Sequence, residues 1–244
     1  MNKENVLFSL VGILLGFIVG FIFANTANRA GLAPQGAAAG QQQAEGLPPG
    51  HPAVDPSQMR PKVDEATLSS AAKLADEQAD NFAAQTNAAA LSAQAGRYDD
   101  AVKFYTRANK AKPDDYETLV ALGNTLFDAE KLAEAEEWYA AALQKNPKDV
   151  NVRTDLGLTF LLREPAQYER AVAEFKRSLE VEPAHPQTLQ NLIVAYTRKG
   201  DLAAAEAALA KLEAAAPQSP TLKQLRSGIE QARASAPAET SQVK

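Results

Sequence analysis

The stretch from Tyr116 to Pro147, YETLVALGNTLFDAEKLAEAEEWYAAALQKNP, places small and large residues at regular spacings. Counted from Tyr116 as position 1, a Leu-Gly pair occupies positions 7 and 8, and alanines occupy positions 20 and 27. A tyrosine stands at position 24 and a proline at position 32. Apolar residues three and four apart share one face of an α-helix, and a proline ends a helix because it donates no backbone N–H. The stretch therefore predicts two helices joined by a short turn.

The same pattern returns in three other segments of the chain. Upstream, its second half recurs as Ala101, Tyr105, Ala108 and Pro113. Downstream, a third copy with two extra residues in its turn carries Leu156, Gly157, Ala171, Phe175, Ser178 and Pro183. A fourth copy carries Leu192, Tyr196, Ala205, Leu209 and Pro217. Small residues let two helix backbones approach closely, and a unit of this kind must stack on its neighbours to bury its apolar face.

These four copies resemble the tetratricopeptide repeat, a helix–turn–helix unit of about 34 residues. The resemblance implies an all-α, right-handed superhelical solenoid of about four units. Their predicted bounds are 82–115, 116–149, 150–185 and 186–219. The outer copies depart from the pattern, because Ala88 and Ala89 replace Leu-Gly in the first copy and Ile193 replaces the glycine in the fourth.

Two further helices are predicted beside the repeats. Residues 62–81 contain helix formers without glycine, and they predict a leading helix that either ends before the first repeat or continues into it. Residues 219–235 predict a capping helix with an apolar stripe that closes the solenoid; the alternative is the first helix of a fifth repeat. We expect the tail, 236–244, to be disordered.

The N-terminal region predicts a membrane anchor. After a short tail, 1–5, residues 6–24 are uncharged and almost wholly apolar, which is long enough for a transmembrane helix; a removed signal peptide is the alternative. Residues 25–61 are rich in Ala, Gln, Gly and Pro and predict a disordered linker. The expected location is the inner membrane, single-pass, with the repeats extracytoplasmic (periplasmic).

The apolar segment also carries a stripe of glycines, Gly12, Gly16 and Gly20. This G-x-x-x-G spacing lets two membrane helices pack closely, so it favours a homodimer formed through the span. The alternative is that glycine is simply common in membrane helices.

The sequence offers little for catalysis. It contains no cysteine and two histidines, and it has no phosphate-binding loop or zinc-protease motif. We therefore predict no enzyme activity, no metal site and no cofactor. The net charge is −5 without a cluster of lysines or arginines, so nucleic acid is not an expected partner.

The resemblance implies that the first helix of each repeat lines an inner groove that binds a peptide or a helix of another protein. The predicted groove residues are Glu117, Val120, Asn124, Phe127, Asn151, Thr154, Leu158, Gln187, Gln190, Val194 and Arg198. Amide side chains suit this task because they both donate to and accept from a peptide backbone.

Two functions remain open at this point. The first is a membrane-anchored adaptor for a partner protein, in cytochrome c maturation, envelope assembly or secretion. The second is a structural assembly subunit that forms a homo-oligomer or a fixed membrane complex through the glycine stripe and the repeat faces.

Overall fold

The computed structural model describes residues 63–235, and within that range the chain forms ten α-helices and no strands. The first five are α1 Glu65–Glu77, α2 Phe82–Gln94, α3 Tyr98–Ala111, α4 Tyr116–Asp128 and α5 Leu132–Lys145. The second five are α6 Val150–Leu162, α7 Tyr168–Val181, α8 Pro186–Lys199, α9 Leu202–Ala215 and α10 Leu222–Ser235. The predicted all-α solenoid is confirmed.

The membrane anchor predicted at residues 6–24, with Gly12, Gly16 and Gly20, lies outside the described residues. Among the residues from 63 to 235, no helix has the length and apolarity that a membrane crossing requires.

Each helix packs mainly on its neighbours in the chain. The pairs α2–α3, α4–α5, α6–α7 and α8–α9 form four hairpins, and each hairpin packs on the next. Before them, α1 packs on α2 as a separate helix, because α2 begins with its own N-cap at Asn81. After them, α10 packs on α9 and α8. Its buried residues, Leu225 and Ile229, belong to the predicted apolar stripe.

Polar residues fix where the first helix of each hairpin begins. The side chains of Asn81, Asp115, Asp149 and His185 each accept a hydrogen bond from the backbone N–H three residues later. Such an N-cap satisfies one of the amide groups that the first turn leaves without a helical partner. The turns between helices need a left-handed residue in three hairpins: Gly96, Glu130 and Gly200 have φ of 75°, 60° and 86°.

The two central hairpins close on a glycine. The fully buried ring of Phe175 on α7 lies against Gly157 on α6, and Tyr139 on α5 lies against Gly123 on α4 in the same way. A Cβ added at either glycine would meet the ring at less than 3 Å. The aromatic residue at position 24 fills the seam between the two helices of each hairpin. Position 8 must therefore be glycine, because a larger residue would clash with that ring.

The first seam is built differently. Its core consists of small alanines on α1 and α2 packed against Phe104. Gln85, which is completely buried, donates from its Nε2 to the carbonyl oxygens of Ala75 and Gln78. These carbonyls lie at the end of α1, where no further helical N–H follows. The amide therefore ties the leading helix to the first hairpin.

The longer turn between α6 and α7 is held by a charged cluster. Glu136 on α5 accepts hydrogen bonds from Arg163 and Arg170. The Arg170 guanidinium also lies over the ring of Phe160, 3.9 Å from its centroid. Burial opposes the charge on Glu136, but the bonds from the two arginines outweigh it, so the pKa of this carboxyl lies below its ordinary value.

We expect Glu136→Gln to lower the free energy of unfolding at pH 7 by about 1–2 kcal/mol, because two charge-assisted bonds become weaker. A carboxyl with a depressed folded pKa stabilises fully above its unfolded pKa, which is about 4.3 for glutamate. That stabilisation is lost as the pH falls through the folded pKa. Urea unfolding of both proteins at pH 7 and near pH 3 checks this. A difference of equal size at both pH values would contradict it.

Candidate functional site

The candidate site is the side of α4, α6 and α8 that faces away from the second helix of each hairpin. Gly123 and Gly157 mark the opposite side, because each contacts that second helix. At about 100° per residue, repeat positions 2, 6, 9 and 13 share one side of the helix, about 100–160° from this contact. We call them the inner stripe: Glu117, Ala121, Asn124, Asp128, Asn151, Asp155, Leu158, Leu162, Gln187, Asn191, Val194 and Arg198.

The structure corrects two predicted groove residues, Thr154 and Leu158, because both are completely buried. Thr154, at position 5, is completely buried and faces the next hairpin. Its hydroxyl donates to the Val150 carbonyl at 2.7 Å and lies 2.7 Å from the Thr188 hydroxyl on α8. Thr154 therefore joins α6 to α8 and cannot contact a partner. The prediction of Thr154 was wrong because the next hairpin packs against position 5 of α6, which the pattern of a single helix does not show.

The other predicted residues differ in accessibility. Glu117 is exposed, whereas Val120, Asn124, Asn151, Gln190 and Arg198 are half-buried. Leu158 is completely buried, and Phe127, Gln187 and Val194 are nearly so at 7 % exposure each. At position 9 of α6 and α8, the inner stripe therefore has a buried apolar residue, Leu158 or Val194, among polar neighbours.

Asn124 already has an intramolecular role. Its Oδ1 accepts a hydrogen bond of 2.9 Å from the hydroxyl of Tyr139, the residue that packs on Gly123. The amide nitrogen is the group that Asn124 can offer to a partner. A substitution at Asn124 would therefore disturb the hairpin as well as the inner stripe.

Three polar inner residues were missed by the sequence prediction. Asp128, Asp155 and Asn191 occupy positions 13 and 6, and the last two are only 5 % and 6 % exposed. The Nδ2 of Asn191 is buried and donates no hydrogen bond. The repeat could have indicated them, because at about 100° per residue positions 6 and 13 lie about 160° and 140° from the glycine at position 8.

Arg198 differs from the other arginines of the described region. Eight of the nine arginines between residues 63 and 235 form an ion pair with a carboxylate, and Arg198 forms none. Burial lowers the pKa of its guanidinium from the ordinary value, and the nearby Tyr168 opposes that effect. Arg198 thus carries a partly desolvated charge without a counter-ion.

Two other features of the described region are held by ion pairs or serve as helix caps. A recess of about 320 Å³ between α9 and α10 is bordered by the ion pairs Arg226–Glu213 and Arg233–Glu206. From residue 63 to residue 235, no group of three or more acidic or histidine side chains could hold a metal ion. His185 serves as the N-cap of α8.

Comparison with known proteins agrees with this architecture. A family model described as tetratricopeptide repeat matches residues 92–157 and 162–229. A search of curated protein sequences returned no match.

Several solved structures share the fold at low sequence identity. One is YrrB, described as a TPR protein with an unusual peptide-binding site, at 20 % identity and a TM-score of 0.58, covering 67 % of this chain and 83 % of YrrB. Another is PilW, described as a widely conserved type IV pilus biogenesis factor, at 21 % identity and 0.58, covering 70 % and 79 %. A repeat protein from Parabacteroides merdae has 20 % identity and a TM-score of 0.60, covering 70 % and 69 %. The family match spans more than half of the chain, which therefore belongs to the tetratricopeptide repeat family.

Proposed function

We propose that this chain is a membrane-anchored adaptor whose inner stripe binds an extended segment or a helix of a partner protein. One observation carries the proposal. Within the described residues, Glu117 and Asn151 of the inner stripe, and Gln190 beside it on α8, have accessible surface and form no hydrogen bond or ion pair. Several charged residues elsewhere are instead paired between successive hairpins, as Lys131 is with Asp99. Unused donors and acceptors along one face suit the backbone and side chains of a peptide.

The likeness to YrrB and PilW supports the same class of function. One is described by its peptide-binding site and the other as a pilus biogenesis factor. We propose that this adaptor works in one of three processes: cytochrome c maturation, envelope assembly or secretion. We further propose that residues 6–24 anchor it in the inner membrane, with the repeats in the periplasm. Protease added to intact spheroplasts should then digest the repeats, and protection until lysis would contradict this placement.

The adaptor function is tested by affinity capture from native membranes with the full-length chain. We expect Asn151→Ala together with Gln190→Ala to weaken binding of the captured partner by about fivefold or more, because each lost hydrogen bond contributes about 0.5–1.5 kcal/mol. Asn124 stays unchanged, since its Oδ1 accepts from Tyr139.

The matched control is Gln144→Ala together with Gln218→Ala, which removes two exposed amides outside the inner stripe. Retention of the partner by the control and its loss from the Asn151 and Gln190 variant would support the adaptor. Equal retention by both variants would contradict it. Capture of further copies of this chain alone, lost on Gly16→Ile, would favour the assembly subunit instead.

A further inference from the structure

One end of the inner stripe contains donors that lack acceptors. The Nδ2 of Asn191 is buried and makes no hydrogen bond. Arg198, on the same helix, has no ion pair or hydrogen bond to any part of the described chain. A buried donor without an acceptor destabilises the chain, and a partly desolvated cation adds to that cost. An acceptor supplied by a partner would relieve both.

The two donors lie on one side of α8. Seven residues correspond to almost two full helical turns, so Asn191 and Arg198 differ in direction by only about 20° and are separated by about 10 Å along the axis. Long side chains on a helix lean toward its N-terminus, so Arg198 extends in the direction of Asn191. Both lie opposite the side that packs on α9, where Leu189, Ile193 and Tyr196 are buried.

The charges on the neighbouring helices have the opposite sign. Asp155 on α6 occupies the same repeat position as Asn191, and Asp128 on α4 occupies the same position as Arg198. The positive end of the inner stripe is therefore confined to α8. A partner segment that crosses the three helices meets carboxylates first and a guanidinium last.

We propose that Arg198 and Asn191 together bind the side-chain carboxylate of an aspartate or glutamate in the partner segment. The inference rests on the proposed adaptor function and names the chemistry of its ligand. A guanidinium matches a carboxylate because its N–H groups point in parallel at both oxygens. A side-chain carboxylate fits better than a chain terminus, because α10 packs on α8 and continues the solenoid beyond it.

The test is selection of random twelve-residue peptides displayed on phage by the full-length chain in mild detergent. The displayed peptides are fused at their C-terminus, so they offer carboxylates only on side chains. We expect the selected peptides to share one position rich in aspartate and glutamate. A selected peptide and its Glu→Gln or Asp→Asn counterpart are then compared, and we expect the wild-type chain to bind the amide form about tenfold more weakly.

Variants of the chain assign that preference to the guanidinium. Arg198→Gln should bind the acidic and amide peptides equally, and Arg198→Lys should restore part of the difference. Arg198→Glu should select lysine or arginine at the same peptide position. The control is Lys199→Gln, which removes the adjacent positive charge that pairs with Glu169 at 3.5 Å; it should keep the wild-type preference.

The outcomes separate this inference from the function on which it rests. Selected peptides that lack an acidic position, or an acidic preference that persists in Arg198→Gln, would overturn the carboxylate site and leave the adaptor standing. Failure to select any peptide, together with capture that survives the Asn151 and Gln190 substitutions, would overturn both.

Discussion

Replacing Phe175 by alanine should lower the free energy of unfolding by about 3–5 kcal/mol, the usual cost of removing a buried aromatic side chain. Phe175 has no exposed surface, and its ring fills the space beside Gly157. Because a glycine has no side chain to move into the gap, the cavity would stay open.

Urea unfolding followed by far-UV circular dichroism measures this effect, and the fluorescence of Trp138, the one tryptophan of the chain, follows the central hairpins. A suitable comparison is Phe82→Ala, because Phe82 is half-buried at the start of α2. Its loss should cost clearly less. Equal effects of the two substitutions would show that the ring of Phe175 is not held as tightly as the structure indicates.

The second prediction concerns Gly157→Ala, which we expect to destabilise the chain by about 1–3 kcal/mol. Alanine in a helix interior normally stabilises by up to about 1 kcal/mol relative to glycine. Here the new Cβ would lie 2.7 Å from Cδ1 and 3.0 Å from Cζ of Phe175. Carbon atoms pack best at about 3.5–4.0 Å, and the buried ring cannot withdraw. Overpacking therefore outweighs helix propensity.

Gly228→Ala is the control, because a Cβ at Gly228 would have no neighbour within 4 Å and α10 is regular there. It should leave stability unchanged or raise it. Gly157→Ala combined with Phe175→Leu should cost less than the sum of the two single changes, because the smaller side chain makes room for the methyl group. Additive effects would mean that the clash is relieved by movement elsewhere.

The central hairpins could be predicted almost completely from sequence. The Gly123–Tyr139 and Gly157–Phe175 contacts follow from a small residue at position 8 and an aromatic residue at position 24 of the same unit. Both features concern packing inside one hairpin, and their spacing is fixed by the helix period. The family and the all-α solenoid, which rest on these spacings, were therefore predicted correctly.

Contacts between hairpins were harder to predict. Thr154 was assigned to the groove, but its hydroxyl contacts Thr188 in the next repeat. The rotation of each repeat against the next decides whether position 5 faces a partner or the neighbouring repeat. That rotation cannot be predicted from the period of a single helix. Gln85 is a similar case, because its partners are carbonyls that become available only where α1 ends.

The glycine–aromatic seams have a consequence for local opening. They join α4 to α5 and α6 to α7, whereas the last hairpin has Ile193 where the glycine would be, and the first has alanines. In a linear array of repeats each unit depends on its neighbours, so the ends open first. Amide hydrogen exchange should accordingly be slowest in α4–α7 and faster in α8–α10. Since Asn191 and Arg198 lie on α8, a segment bound there would slow exchange at the end of the array, where protection is otherwise weakest.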